Sequence, residues 1–431
     1  MKLYIDKIRK NVLVKVSSFN AIGVFVKMVT GLISAKVIAV LLGTEGMALL
    51  GNLRNMLSSV QSVGTLGLYN GVVKYISENK SSKEELISML STAYFICFVV
   101  TMSLAGWLYF DAGFWNDLVF GEQYSFNFVF EALGLALPFY SANTLCLAII
   151  NGFSKYKVFI LLNIVTSILG LCVTLLLIWE FRLEGAFLAI VLNPAISLLI
   201  TVVIIMNQKN FTKLLWVNRI SLKYIKRFGS YSIMALLSAT ALPWVLINIR
   251  NLLINTQGAN EAGYWEAMLR ISDQYMLFIT TLLTIYLLPK LSEIRSSKLF
   301  KLEVLNFYKI ILPVFLALFL VIYWFRGLII NVLFSKDFLS MEPLFIWQLS
   351  GDVFKIASLV IAYQLIAKKM FWQYIVTEVL SLSFLYLSSV YLIGKYGFEG
   401  ASMAHFFNYV FYFLILVLMF NKSFFGSDRS I

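Results

Sequence analysis

The sequence predicts an all-α polytopic membrane protein with twelve transmembrane helices in two pseudo-symmetric six-helix lobes. Three observations carry that expectation. Of 431 residues, 60% are hydrophobic and only 13% charged, against about 45–50% and about 25% in soluble domains. Apolar stretches of about 20 residues or more, each long enough to cross roughly 30 Å of hydrocarbon, recur from one end to the other. The second half of the chain also repeats landmarks of the first at a near-constant interval.

The expected spans are, in order, 15–42, 46–74, 87–110, 126–150, 157–179, 184–206, 229–254, 260–289, 304–325, 340–366, 370–393 and 399–421. The first apolar stretch, from about Val14 to Leu42, is too long for a signal peptide and has no small-residue cleavage site, so it reads as a retained span. Outside the spans, four basic residues (Arg182, Arg326, Lys336 and Lys395) fall on one side of the membrane. The others, among them Lys7, Arg9, Lys155, Lys157, Lys213, Arg227, Arg295, Lys368 and Lys369, fall on the side of the termini. The positive-inside rule then makes both termini cytoplasmic.

Glu184, Gly185, Ala186, Ala189 and Asn193 recur as Glu399, Gly400, Ala401, Ala404 and Asn408, an offset of 215, at the start of the sixth and twelfth spans. Leu41, Leu42, Gly46, Gly51, Met56 and Leu57 recur as Leu252, Leu253, Gly258, Gly263, Met268 and Leu269, at offsets of 211 to 212. A repeat of six spans preserves orientation, so the lobes are expected to be related by an axis along the membrane normal. That gives a first lobe over 1–208, a cytoplasmic linker over 209–228 and a second lobe over 229–431.

Several functional classes fall away. Cys97, Cys146 and Cys172 all lie in apolar spans and form neither a disulfide framework nor a metal cluster. No His or Cys grouping has metal-ligand spacing, and no GxxxxGK loop cradles a nucleotide, so no cofactor, metal or ATP site is expected. The net charge of +13 comes from short basic loops beside spans, which is a topology signal and not a nucleic-acid surface. Segments between spans reach only about twenty residues, leaving no extramembrane catalytic domain, and the chain is not expected to be an enzyme.

Ionisable residues inside the spans carry the functional signal: Lys27 and Lys36 in the first, Arg54 in the second, Arg270 and Asp273 in the eighth, Asp352 and Lys355 in the tenth, and Glu378 in the eleventh, with Arg250 near the outer end of the seventh. Each costs roughly 2.5–3.5 kcal/mol at mid-depth if it meets lipid, so they must face protein or water. Arg270 with Asp273, and Asp352 with Lys355, are three residues apart on one helix face and read as local ion pairs. Arg54 lines up at helical spacing with Ser58, Gln61 and Thr65, a polar stripe suited to a water-filled wall. Lys27 and Lys36, nine residues apart, point to opposite faces of an ideal helix. Pro138 and Pro243 fall in mid-span, where the missing N–H is expected to kink the fourth and seventh spans. His405, the sole histidine, matches Ile190 in the other lobe and reads as a buried, satisfied core residue. The basic set (Lys27, Lys36, Arg54, Arg250, Arg270, Lys355) outnumbers the acids (Asp273, Asp352, Glu378) by six to three. That favours an anionic substrate over the cationic drugs of an antiporter, since phosphate oxygens pair with Arg and Lys through charge-assisted hydrogen bonds.

Stretches from the first to the tenth span carry a family likeness: Phe25-Val26-Lys27, Ala35-Lys36-Val37-Ile38-Ala39-Val40, Asn52-Leu53-Arg54, Tyr69-Asn70-Gly71-Val72-Val73-Lys74-Tyr75, Ile271-Ser272-Asp273, Tyr286-Leu287-Leu288-Pro289, and Trp347-Gln348-Leu349-Ser350-Gly351-Asp352-Val353-Phe354-Lys355. With these the chain resembles the Wzx-type flippases of the multidrug/oligosaccharidyl-lipid/polysaccharide exporter superfamily, most closely the enterobacterial common antigen branch. The resemblance implies two six-helix bundles in a V around a central cavity, in the inner membrane. The implied substrate is an oligosaccharide on undecaprenyl diphosphate, turned from the cytoplasmic to the periplasmic leaflet. The implied partners are that lipid-linked oligosaccharide, membrane lipids, and a polysaccharide polymerase with its chain-length regulator; the alternatives are a drug or cation antiporter and a non-transporting scaffold of the same machinery. The candidate diphosphate ligands are Arg54, Lys27, Lys36, Arg250 and Arg270, and the candidate coupling or ion-pair residues are Asp273, Asp352, Lys355 and Glu378. Arg270 departs from the common-antigen branch, which has a small polar residue there, and this points to an O-antigen-specific flippase as the other family member to weigh.

Overall fold

A computed structural model describes residues 12–78, 82–206 and 220–425. The expected linker lies mostly outside the described residues, as do Lys7, Arg9 and Lys213. Helices follow one another along the described residues, as a continuously apolar sequence requires, because lipid offers no partner to a bare N–H or C=O. They are α1 (Val12–Gly64), α2 (Tyr69–Glu78), α3 (Lys83–Phe110), α4 (Ala112–Phe120), α5 (Asn127–Gly152), α6 (Tyr156–Met206), α7 (Leu222–Thr256), α8 (Ala259–Leu282), a π turn over Leu283–Leu287, α9 (Leu288–Glu293), α10 (Ser297–Trp324), α11 (Arg326–Leu333), a 3₁₀ turn over Lys336–Met341, α12 (Leu344–Ala367), α13 (Phe371–Tyr396), α14 (Glu399–Met419) and α15 (Asn421–Phe425).

Ten helices among the described residues are long and apolar enough to cross a membrane. Two of them far exceed one crossing. The 45 residues of Asn20–Gly64 and the 51 of Tyr156–Met206 would reach about 68 and 77 Å at 1.5 Å per residue. Each is broken by one residue with non-helical backbone, Gly43 (φ 68°, ψ −163°) and Arg182 (φ 52°, ψ −124°). Both breaks fall in the gaps expected between spans, at 43–45 and 180–183. Pro138 and Pro243 lie within α5 and α7, which continue helical through them.

The repeat is visible in the backbone. Left-handed residues recur 215 positions apart at three turns: Gly43 and Gly258, Ser154 and Lys369, Arg182 and Gly397. The turn glycine of the second half therefore corresponds to Gly43 and not to Gly46, with which the residue matching paired it. Side-chain landmarks inside the following helix keep the shorter offset because the helical face, and not the turn, fixes them.

The chain divides into two compact units, Met1–Ser34 with Leu50–Ile247, and Ala35–Leu49 with Asn248–Ile431. In the first, α5 packs along α3 and α6. In the second, α14 packs along α12 and α13, and α12 also meets α8 and α10. The residue following the α1 break belongs to the second unit, where a Cβ on Gly263 would stand 2.0 Å from the Thr44 carbonyl oxygen. Only glycine permits so close a crossing. Beside it the Thr44 hydroxyl donates to Asn260 Oδ1.

Candidate functional site

The polar interior of the second unit is built on three helices that each offer residues at relative positions 0, 4 and 7, one face of a helix: Glu266, Arg270 and Asp273 on α8, Gln348, Asp352 and Lys355 on α12, and His405, Tyr409 and Tyr412 on α14. Asp352 is wholly buried. One of its oxygens accepts from Ser272 Oγ at 2.6 Å and from the Tyr275 hydroxyl, with Gln348 Nε2 at 3.5 Å. The other lies 2.9 Å from His405 Nε2. His405 reaches it because Gly351 has no side chain: a Cβ there would stand 2.5 Å from His405 Cδ2.

The expected partner of Asp352, Lys355, makes no ion pair with it within 4 Å; its ammonium sits 5.4 Å from the Tyr409 ring centroid. On α13, half-buried Glu378 accepts from the Tyr412 hydroxyl at 3.4 Å. His405 is buried and satisfied, as expected, and it is also a member of the charged network. Its spacing to Tyr409 and Tyr412 was the available signal.

A second cluster stands toward the start of α8. Arg250, at 1% side-chain exposure, contacts Glu266 Oε2 through Nη2, and its guanidinium lies 5.3 Å from the Trp265 ring centroid. Glu266 Oε1 accepts from Arg270 Nε at 2.9 Å. Arg270 thus pairs one turn back with Glu266 and not with Asp273, three residues on. Glu266 was missed in the sequence because it falls close to the expected start of a span, where a carboxylate usually reads as an interfacial residue. The four-residue spacing to Arg270 is the better-oriented Glu-before-cation pair.

The remaining candidates are on α1. Lys27 is exposed and Arg54 half-buried on α1. Along the stripe below Arg54, Gln61 Nε2 donates to Thr144 Oγ1 at 3.3 Å and Thr65 is buried, so the lower end packs against α5. Lys36 donates to the carbonyl oxygens of Asn331 and Phe334 at the end of α11. A cation at a helix C-terminus satisfies carbonyls that lack intrahelical partners, and two of its three N–H donors are engaged in this way.

Residues 37–343, more than two thirds of the chain, match the polysaccharide biosynthesis protein family. The chain belongs to that family. Over 408 residues it is 29% identical to the lipid III flippase of Escherichia coli (strain K12), covering 93% of this chain and 96% of that protein. Its fold is shared with an inward-facing multidrug resistance MATE family transporter of the MOP superfamily, at TM-score 0.72 with 13% identity over 94% and 96% of the two chains. It is shared as well with the lipid II flippase MurJ in an inward closed conformation, at TM-score 0.68 with 15% identity over 94% and 89%. The family is thus one of multi-pass membrane proteins, and the fold alone does not separate drug carriers from lipid carriers.

Proposed function

We propose that the chain is a flippase that carries an oligosaccharide on undecaprenyl diphosphate from the cytoplasmic to the periplasmic leaflet of the inner membrane, for surface polysaccharide assembly. The observation that carries this reading is the end-to-end likeness to a lipid III flippase. Charge supports it: with Glu266 added to the ionisable residues singled out within the spans, cations still outnumber carboxylates by six to four (Glu266, Asp273, Asp352, Glu378), as an anionic cargo requires. The transport unit is two lobes of six spans, 1–208 and 229–431, obtained by dividing the two over-long helices at Gly43 and Arg182, with both termini cytoplasmic. Arg54, Lys27 and Arg270 hold the diphosphate while the lobes alternate in access and the polyprenyl tail stays in the bilayer. The glycan is an O-antigen unit or the common-antigen unit, and a polymerase with its chain-length regulator receives it. No covalent bond of the cargo changes.

The driving force is at least partly the membrane potential. Two negative charges moving outward across an inside-negative potential release about 2.3 kcal/mol each per 100 mV. The test is flipping of a fluorescent undecaprenyl-diphosphate glycan in proteoliposomes under a valinomycin-set potassium potential, with pH and sodium equal on both sides. Flipping that responds to the sign of the potential is the expected result. Flipping indifferent to it refutes voltage drive and favours ion antiport; no flipping under any gradient refutes the transport reading.

A further inference from the structure

The two arginines beside Glu266 differ in what they leave available. Arg250 is closed in by Glu266 and the Trp265 ring at 1% exposure. Arg270 gives Glu266 only its Nε–H, keeps 21% of its side chain exposed, and among the described residues its two terminal nitrogens hold no hydrogen bond. An arginine anchored through Nε with its Nη1–Nη2 edge open presents two parallel donors at the spacing of two phosphate oxygens. Two cations against one carboxylate leave this triad with a net charge of +1, and the surplus sits on the arginine that is open.

We propose that Glu266 is the positioning and charge-setting residue of an anion site in the second unit, whose only contacting group in the triad is Arg270 and whose ligand is a phosphate ester or diphosphate. This rests on the reading of a diphosphate cargo but does not stand or fall with the glycan. Glu266 fixes the direction of the Arg270 fork and cancels the charge of Arg250, which contributes no contact. A carrier must release what it binds, so one unit of charge more than the native triad holds a polyanion too well and one unit less holds it too weakly. Asp273 shares the α8 face and subtracts the same charge in every variant below, so it leaves their ranking unaltered.

The ranking is the test. Glu266→Gln changes the triad to +2, Arg250→Gln to zero, and the double change returns it to +1, with the shape of the Glu266 side chain kept by its isosteric amide. Full-length protein and the three variants are placed in phosphatidylcholine nanodiscs. Affinity is measured for undecaprenyl diphosphate and, separately, for phosphatidylglycerol, the bilayer's own phosphate ester. At about 10 Å separation and an effective dielectric of about 40, between a surface pair and bulk water, one unit charge acting on the two charges of a diphosphate alters affinity by about tenfold. Glu266→Gln is expected to bind undecaprenyl diphosphate about tenfold more tightly, Arg250→Gln about tenfold more weakly, and the double variant like the wild type. In the flipping assay Glu266→Gln is expected to lower KM and kcat together. The same ranking with phosphatidylglycerol and no binding of undecaprenyl diphosphate upholds the site while refuting the cargo. If Glu266→Gln does not fold, the comparison of Arg250→Gln with the double variant decides. A double variant about tenfold tighter than Arg250→Gln supports the proposal. A double variant no tighter than Arg250→Gln, or a folded Glu266→Gln that binds more weakly than wild type, overturns it.

Discussion

The α5–α6 region of the first unit and the α12–α14 region of the second hold the same positions in the repeat yet carry opposite chemistry. At the offset of 215 fixed by the three turns, Leu133, Leu137 and Tyr140 stand where the second unit has Gln348, Asp352 and Lys355, and Ile190 stands where it has His405. Leu133, Leu137 and Tyr140 are fully buried, Ile190 is half-buried, and a polar tie is the Tyr140 hydroxyl donating to the Val191 carbonyl. The second set surrounds a buried carboxylate with a histidine, a serine, a tyrosine and an amide. One backbone arrangement is therefore stable with an apolar interior, so the fold does not by itself require the ionised one. Buried ion pairs are often no more stabilising than a well-packed apolar replacement.

The largest expected effect comes from making the second region resemble the first. Gln348→Leu, Asp352→Leu and His405→Ile together are expected to keep more membrane abundance than Asp352→Leu alone and to abolish flipping in proteoliposomes. Asp352→Leu alone, which leaves His405, Ser272 and Tyr275 without their acceptor, is expected to cost about 3–5 kcal/mol and to lower abundance. Normal flipping by the triple variant would reduce the network to a dispensable relic of sequence drift.

The polar stripes of α1 and α8 form a parallel contrast. Arg54, Ser58 and Gln61 lie 212 residues before Glu266, Arg270 and Asp273, so one stripe begins with a cation and continues neutral, while the other alternates in sign. Arg54→Ala is expected to stop flipping with normal insertion, and Arg54→Lys to lose most of it, because the bidentate fork is gone. Wild-type flipping by Arg54→Ala would mean that the second stripe alone serves the cargo.

A smaller effect separates packing from charge. Where the first unit has Ala136 the second has Gly351, and an added Cβ would stand 2.5 Å from His405 Cδ2. Gly351→Ala is expected to cost about 1–3 kcal/mol by overpacking, read as a lowered Tm in detergent. In a His405→Ala background the same change should cost less than half as much. Equal losses in both backgrounds would place the clash elsewhere than at the imidazole.

The smallest is at the turns. Arg182 holds φ 52°, ψ −124°, where its counterpart Gly397 holds φ 63°, ψ −147°, a region costly for any residue with a Cβ. Arg182→Gly is expected to stabilise by about 1 kcal/mol, and a Tm that does not rise would show that the Arg182 side chain compensates its own strain.

Much of the fold was legible because hydropathy reports membrane crossings directly. The breaks inside α1 and α6 were placed to within a few residues, although the helix is otherwise continuous, since a crossing cannot exceed the hydrocarbon thickness by half again. The interior charges were legible as a set for the same reason. Their partners were not. Spacing along one helix suggested Arg270 with Asp273 and Asp352 with Lys355, but a buried group is satisfied by whichever neighbouring helix approaches it, and that approach depended on Gly351 and on Arg250 of α7 reaching Glu266 of α8. His405 looked inert because a single histidine in an apolar run gives no hint of the carboxylate a second helix brings to it.

The π turn at Leu283–Leu287 precedes Pro289, whose missing N–H leaves the helix free to take one residue more than its regular winding needs. An extra residue in a helix of 3.6 per turn rotates everything beyond it by about 100°. A helical wheel drawn through the whole span therefore assigns Tyr286, Lys290 and Glu293 to the wrong side. Periodicity is a reliable guide on this helix only up to Leu282, and deleting one residue of the π turn would swing the segment beyond it by more than a quarter of a circle while leaving its hydropathy unchanged.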